Sequence, residues 1–265
     1  MATFVWSNVR LFVDEFDLSG QMNKLQLDYT AEMLDATVMS PDKTRLHAPG
    51  LWSAEINHNG FLDYADGAID DQLFATLGVD AGVLQTIVPV PSGALGVIAD
   101  GDHAFFGEFV SGAYTPGGTV GELAAFNWVA SGRTQLAKGR VSIDDAANVT
   151  GVANGSAYQF GNAAFGPLGA AIDVPSGDLV KAMVHVTAED TFTSATIVLE
   201  SDDVENFGGT PTIVATQAIV PGIASYAFET DGTTAITDDW FRLRVSAFTG
   251  TSLTLIGSIG PTRGR

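Results

Sequence analysis

Apolar and polar residues alternate in short runs along most of this chain. Trp52, Ala54, Ile56 and His58 alternate with Ser53, Glu55, Asn57 and Asn59. That period of two predicts a strand with one drier face. Similar runs cover Val5–Val13, Lys24–Thr30, Leu84–Val90, His103–Thr115, Leu123–Ser131 and Gln135–Ile143. The last three predict a meander, with Pro116, Gly117 and Gly118 at one turn and Gly132 near the next. Strands resume at Ala157–Phe160, Leu179–Ala188, Thr193–Glu200, Thr212–Thr216, Ser225–Glu229, Trp240–Phe248 and Ser252–Ile259. Clusters of Gly, Asp and Pro separate the runs, which points to an all-β fold of the sandwich or barrel kind.

One segment has a helical period. Ile69, Leu73 and Leu77 recur every fourth residue, with Phe74 beside them. Asp70 and Asp71 fall in the first turn, where the helix dipole favours acid, and Gly78 follows the last turn. This short helix is expected to lay its apolar stripe on a sheet. The stretch SDDVENFGG is expected to form one further helical turn. The polar, Pro-bounded stretch Leu34–Gly50 reads as a long loop, either a hairpin tip or an arm reaching a neighbouring subunit. Residues 144–156 read as a linker. The expected division is therefore 1–143, a linker at 144–156, and a second β-sandwich at 157–265.

Charge and composition narrow the function. The chain has 31 acidic and 12 basic residues, a net charge of −19, and no cysteine. The acid is spread evenly, so there is no basic patch of the kind that neutralises nucleic-acid phosphates. Thiolate metal sites, disulfides and cysteine nucleophiles are excluded. Mean hydropathy is nevertheless +0.20, a surplus of apolar surface that subunit interfaces would bury. No run approaches the ~20 apolar residues of a membrane helix, and Met1–Val13 lacks the features of a secretory signal; no membrane partner is expected.

Catalytic patterns are missing. The chain lacks the phosphate-loop, dinucleotide-binding, nucleophile-elbow and zinc-protease motifs. His47, His58, His103 and His185 are dispersed. The carboxylate pairs Asp70-Asp71, Asp144-Asp145, Asp202-Asp203 and Asp238-Asp239 fall at helix starts or turns, where Asp serves as a cap. Asp202, Asp203 and Glu205 are the best calcium candidate but lack the alternating spacing of a calcium loop. No enzyme activity, cofactor or metal is expected. Trp240, Arg242 and Arg244 share one face of a late strand. They either cover apolar surface with their stems or stack on a sugar or a partner.

Four stretches carry a resemblance to a known family. In order they are VRLFVDEFDLSGQMNKLQLDYTAEMLDAT, TRLHAPGLWSAEINHNGFLD, DDQLFATLG and FFGEFVSGAYTPGGTVGELAAFNW. Together they resemble the major tail tube protein of long, non-contractile-tailed viruses over about Val9–Val141. The resemblance implies a tube domain at 1–143, followed by either an outer sandwich or a second tube-like domain. It implies stacked homo-oligomeric rings, a hexamer or a pseudo-hexameric trimer, enclosing a β-barrel through which viral DNA passes during genome ejection without specific binding. The acidic balance suggests an acidic lumen. Leu34, Asp35, Thr37, Lys43, Arg45, Leu46, Pro49 and Gly50 would belong to an inter-ring arm, and the Asp70–Leu77 helix would brace the sheet. Partners would be further copies and other tail proteins, in a virion assembled in the host cytoplasm. The competing readings are a capsid-decorating or other virion β-sandwich protein, and a glycan-binding module in the second domain.

Overall fold

The computed structural model describes residues 9–35, 47–64, 69–89, 91–92, 96–144, 148–159, 179–222, 224–233 and 235–262. Its strands in chain order are β1 (Arg10–Val13), β2 (Phe16–Asp17), β3 (Met22–Asp35), β4 (His47–Phe61), β5 (Val83–Val88), β6 (His103–Gly117), β7 (Ala125–Gly132) and β8 (Ala137–Ile143). They continue with β9 (Asn148–Val149), β10 (Ala153–Asn154), β11 (Tyr158–Gln159), β12 (Val180–Asp202), β13 (Thr212–Ile219), β14 (Ser225–Glu229) and β15 (Trp240–Pro261). One α-helix, α1 (Ile69–Thr76), lies between β4 and β5. The fold is all-β with one short helix, as the alternation predicted.

The chain divides into two units, and neither is continuous in sequence. The larger comprises Met1–Gly20, Leu84–Gly107 and Ala137–Arg265; the smaller comprises Gln21–Val83 and Glu108–Leu136. This grouping departs from the expected break at 144–156. Two short strands of that segment, β9 and β10, pair with β15 inside the larger unit. Two-residue strands are too short to show a period, and small and polar residues around them read as a linker.

The larger unit is organised by one long ribbon. β12 and β15 pair antiparallel from Val180–Pro261 to Asp202–Trp240, with register shifts near Val186, Phe192 and Thr196. Sequence alternation divided each of these strands in two, because the bulges reset the inside–outside phase. The first half of β12 pairs with β14 and the second half with β13. Both halves bury Val184, Val186, Ile197, Leu199, Leu243, Val245 and Leu255 in one core. Each such side chain contributes about 1.5–3 kcal/mol. A second cluster gathers Phe12, Val88, Ile98, Phe106 and Val141 around Met183 and Ile256. β8 and β15 approach so closely that a Cβ on Gly139 would lie 1.8 Å from the Ile259 carbonyl oxygen.

The smaller unit is an antiparallel sheet in the order β3, β4, β7 and the second half of β6. Its buried face holds Ala54, Ile56, His58, Phe126, Trp128 and Ala130. The Trp128 indole N–H donates to the Ser111 hydroxyl at 2.6 Å, which satisfies the one polar atom of a fully buried ring. Ile69 and Leu73 are the buried residues of α1. Gly78 ends the helix at φ 71°, the left-handed position that glycine adopts without steric cost.

Candidate assembly surface

The two faces of the small sheet differ sharply. Register places Leu25, Leu27 and Tyr29 opposite His58, Ile56 and Ala54 on the buried face. On the opposite face, Lys24, Gln26, Asp28 and Thr30 lie across from Asn59, Asn57, Glu55 and Ser53. Asn59 and Asn57 in turn face Asn127 and Val129 of β7. The result is a polar, amide-rich surface on which Gln26 donates to Asp28 at 2.8 Å and the Thr30 and Ser53 hydroxyls meet at 2.8 Å.

Among the described residues, β3 and the far end of β6 border this sheet. Among the described residues β3 pairs with β4 alone. Residues 113–117 of β6 pair with residues 125–129 of β7. A 14-residue strand that borders its sheet is a template for another chain. The far end of the β3–β4 hairpin is also apolar. Met33 is 60% exposed, Leu34 48% and Leu51 80%, while Trp52 stacks on Tyr29 with ring centroids 5.4 Å apart.

The expected arm divides between described and undescribed residues. Leu34 and Asp35 end β3, paired with Ala48 and His47, and Pro49 pairs with Met33. The legs of the hairpin thus extend further as strand than alternation predicted. A Cβ on Gly50 would approach Leu34 to 3.1 Å. Thr37, Lys43, Arg45 and Leu46 lie outside the described residues.

Helix α1 departs from its expected packing. Phe74 is 68% exposed, and Leu77, beyond the helix end, bridges to Ser111. Asp70, in the first turn of α1, accepts the Tyr114 hydroxyl and so ties the helix to β6. Tyr114 is pushed well above its ordinary value by burial and by Asp70. Pro116 and Gly117 are strand residues, paired with Phe126 and Ala125. The turn begins only at Gly118, with Glu122 N–H bonding the Thr119 carbonyl at 3.0 Å. Proline is tolerated there because that stretch of β6 has an open edge.

In the larger unit Arg242 and Arg244 share a partner that sequence spacing did not reveal. Glu200, 2% exposed, accepts from Arg242 Nε and Nη2 at 3.1 and 2.9 Å and from Arg244 Nε at 2.7 Å. Arg242 also lies 4.0 Å over the Phe207 ring. Burial pushes the Glu200 carboxyl up, but the two guanidiniums outweigh it and hold it below the ordinary carboxylate range. Both arginine heads are therefore committed inside the fold. Trp240 is half-buried at the start of β15, paired with Asp202. The segment after Asp202 forms a hydrogen-bonded turn, Phe207 N–H to the Val204 carbonyl at 3.1 Å, not a helical turn. Among the described residues no group of three or more His, Asp or Glu side chains is placed to hold a metal.

Alternation put His58 on the drier face of its strand, and the structure buries it there. His58 packs edge-on to Trp128 and Phe126 at 4.6 and 5.4 Å, and burial lowers its pKa to about 3.

No protein-family model and no curated protein matches the chain. Several solved structures are similar in fold at low identity. One is a chain from the virion of a native gene transfer agent particle, 16% identical, with TM-score 0.42, covering 51% of this chain and 98% of that one. Another is from the tail of an empty particle of the same kind, 17% identical, with TM-score 0.36, covering 48% and 92%. A third is the SPP1 Dit protein, described as a hub adsorption apparatus component of phages infecting Gram-positive hosts. It is 13% identical, with TM-score 0.36, covering 96% and 99%.

Proposed function

We propose that this chain is a structural protein of a virus tail, whose copies close into rings and stack into a tube that conducts the genome. The observation that carries this reading is the small sheet, which among the described residues is bordered by β3 and the end of β6, apolar on one face and amide-rich on the other. Its strands alternate in direction from β3 to β6. With an even number of strands per copy, a rotated neighbour presents its β3 antiparallel to the free end of β6. Every junction then repeats, and a heterologous contact that closes makes a ring without edges. The apolar face points outward with α1, and the amide-rich face lines the lumen. That lining mixes amides, hydroxyls and the charges of Lys24, Asp28 and Glu55, with acid in excess of base. Neutral amides offer sliding DNA no array of cations to hold its phosphates. The resemblance of Val9–Val141 to tail tube proteins supports the same reading. The β3–β4 hairpin, with Leu34, Asp35, Pro49 and Gly50 at its described end, serves as the contact between rings, and other tail proteins cap the stack.

Negative-stain microscopy of the purified full chain tests this directly. Tubes of uniform diameter are the expected result, and deletion of Leu34–Gly50 is expected to leave rings that do not stack. Single closed rings from the intact chain would instead assign it to a hub at the tail end. Monomers that bind capsid shells would make it a decorating protein.

A further inference from the structure

The larger unit contains a groove that ring closure does not use. It has a volume of about 330 Å3 and lies beside the start of β13 and the loop after β14. Ile213, Val214, Ala235 and Ile236 give it an aliphatic wall, and Asp231 and Asp238 supply carboxylates. Both acids are fixed by neighbours. Asp238 accepts the Ser201 hydroxyl at 2.6 Å, and Asp231 accepts the Thr233 N–H at 3.0 Å.

The groove adjoins an open strand. Among the described residues β13 pairs with β12 alone, from Ala195–Ile219 to Ser201–Thr212. An extended segment laid along the other edge of β13 would gain main-chain hydrogen bonds and direct alternate side chains toward the groove. The lining selects the side chain. An aliphatic wall suits a methylene stem, and the two carboxylates of the lining suit a cationic head, the two halves of Lys or Arg. Among the described residues the lining holds no aromatic ring of the kind on which a sugar would stack. The net charge of −19 favours the approach of a basic partner.

We propose that the β13 edge and its groove receive an extended, Lys- or Arg-bearing segment of a partner protein by strand addition. The inference stands apart from ring assembly and fails or survives independently of it.

Fluorescence anisotropy with the full chain tests it. The probe is a labelled heptapeptide of alternating Thr and Val with a central Arg. Three results are expected: binding of this peptide, at least tenfold weaker binding of its central-Gln counterpart, and a similar loss for Asp231→Asn, which keeps an acceptor for Thr233. N-methylation of alternate peptide nitrogens on the pairing edge should also abolish binding. Equal binding of the Arg and Gln peptides would overturn the proposal, as would no binding at millimolar peptide. An N-methylated peptide that binds normally would overturn strand addition. A neutral oligosaccharide whose binding is lost in Asp231→Asn would overturn it in favour of a sugar site.

Discussion

The His185 Nε2 and the Thr86 hydroxyl lie 2.8 Å apart in the interior of the larger unit, and the other ring nitrogen of His185 meets the Asp14 carbonyl. A carbonyl only accepts, so Nδ1 carries the proton and Nε2 accepts from Thr86. Burial lowers the His185 pKa to about 4 from 6.5, against a smaller upward pull from the Asp14 carbonyl. Between those values the unfolded chain binds the proton and the folded chain does not. Stability from this residue is therefore complete above about pH 6.5 and declines as pH falls toward about 4. We expect His185→Gln to lose that part of the slope, about 1.4 kcal/mol per pH unit. Urea midpoints across this range, compared between the two proteins, check it. An unchanged slope would refute the assignment.

Glu200 is the one carboxylate that the Arg242 and Arg244 guanidiniums share. Removing its charge by Glu200→Gln leaves Arg242 and Arg244, both largely buried, without a counter-ion. A loss of about 3–5 kcal/mol is expected, measured by chemical denaturation. Replacing all three by Met should cost much less, because no charge is then stranded. If the triple variant were as damaged as Glu200→Gln, packing rather than charge would be the cause.

Gly139 and Gly260 permit the close approach of β8 and β15. Gly139→Ala places a Cβ 1.8 Å from a backbone oxygen that has no side-chain freedom. The expected cost is about 3 kcal/mol or more, a fall of about 6–12 °C in Tm for a chain of this size. Gly112→Ala is the control. Its Cβ would meet only the Val129 carbonyl at 3.8 Å, so its Tm should stay within about 2 °C of the parent.

The apolar end of the β3–β4 hairpin should govern assembly rather than folding. Met33→Lys with Leu34→Lys changes two exposed side chains, so circular dichroism and Tm are expected to be unchanged. Sedimentation velocity should show the loss of species larger than a single ring. Full-length tubes from the double variant would remove the hairpin from the stacking contact.

Local patterns were legible in the sequence where the physics is local. The strand Trp52–Asn59 alternates because one face is dry, and Ile69 and Leu73 recur because a helix turns every 3.6 residues. Pairing was not legible. Glu200 and Arg242 meet only because bulged strands bring them into register, and no spacing rule links residues so far apart. The exposed Phe74 looked like part of a core stripe because the pattern records polarity and not which side a neighbour covers. The hydrophobic surplus pointed to interfaces, whereas the open edges that would form them appeared only when β3 was seen to pair on one side.

The interleaving of the two units has a consequence for synthesis on the ribosome. All residues of the smaller unit have been made once Leu136 is added. The larger unit is begun first and completed last. Phe12, Val88 and Phe106 are made early, but Met183 and Ile256, which complete their cluster, come from the second half of the chain. A nascent chain thus still carries apolar strands without their core partners after the last residue of the smaller unit has been made.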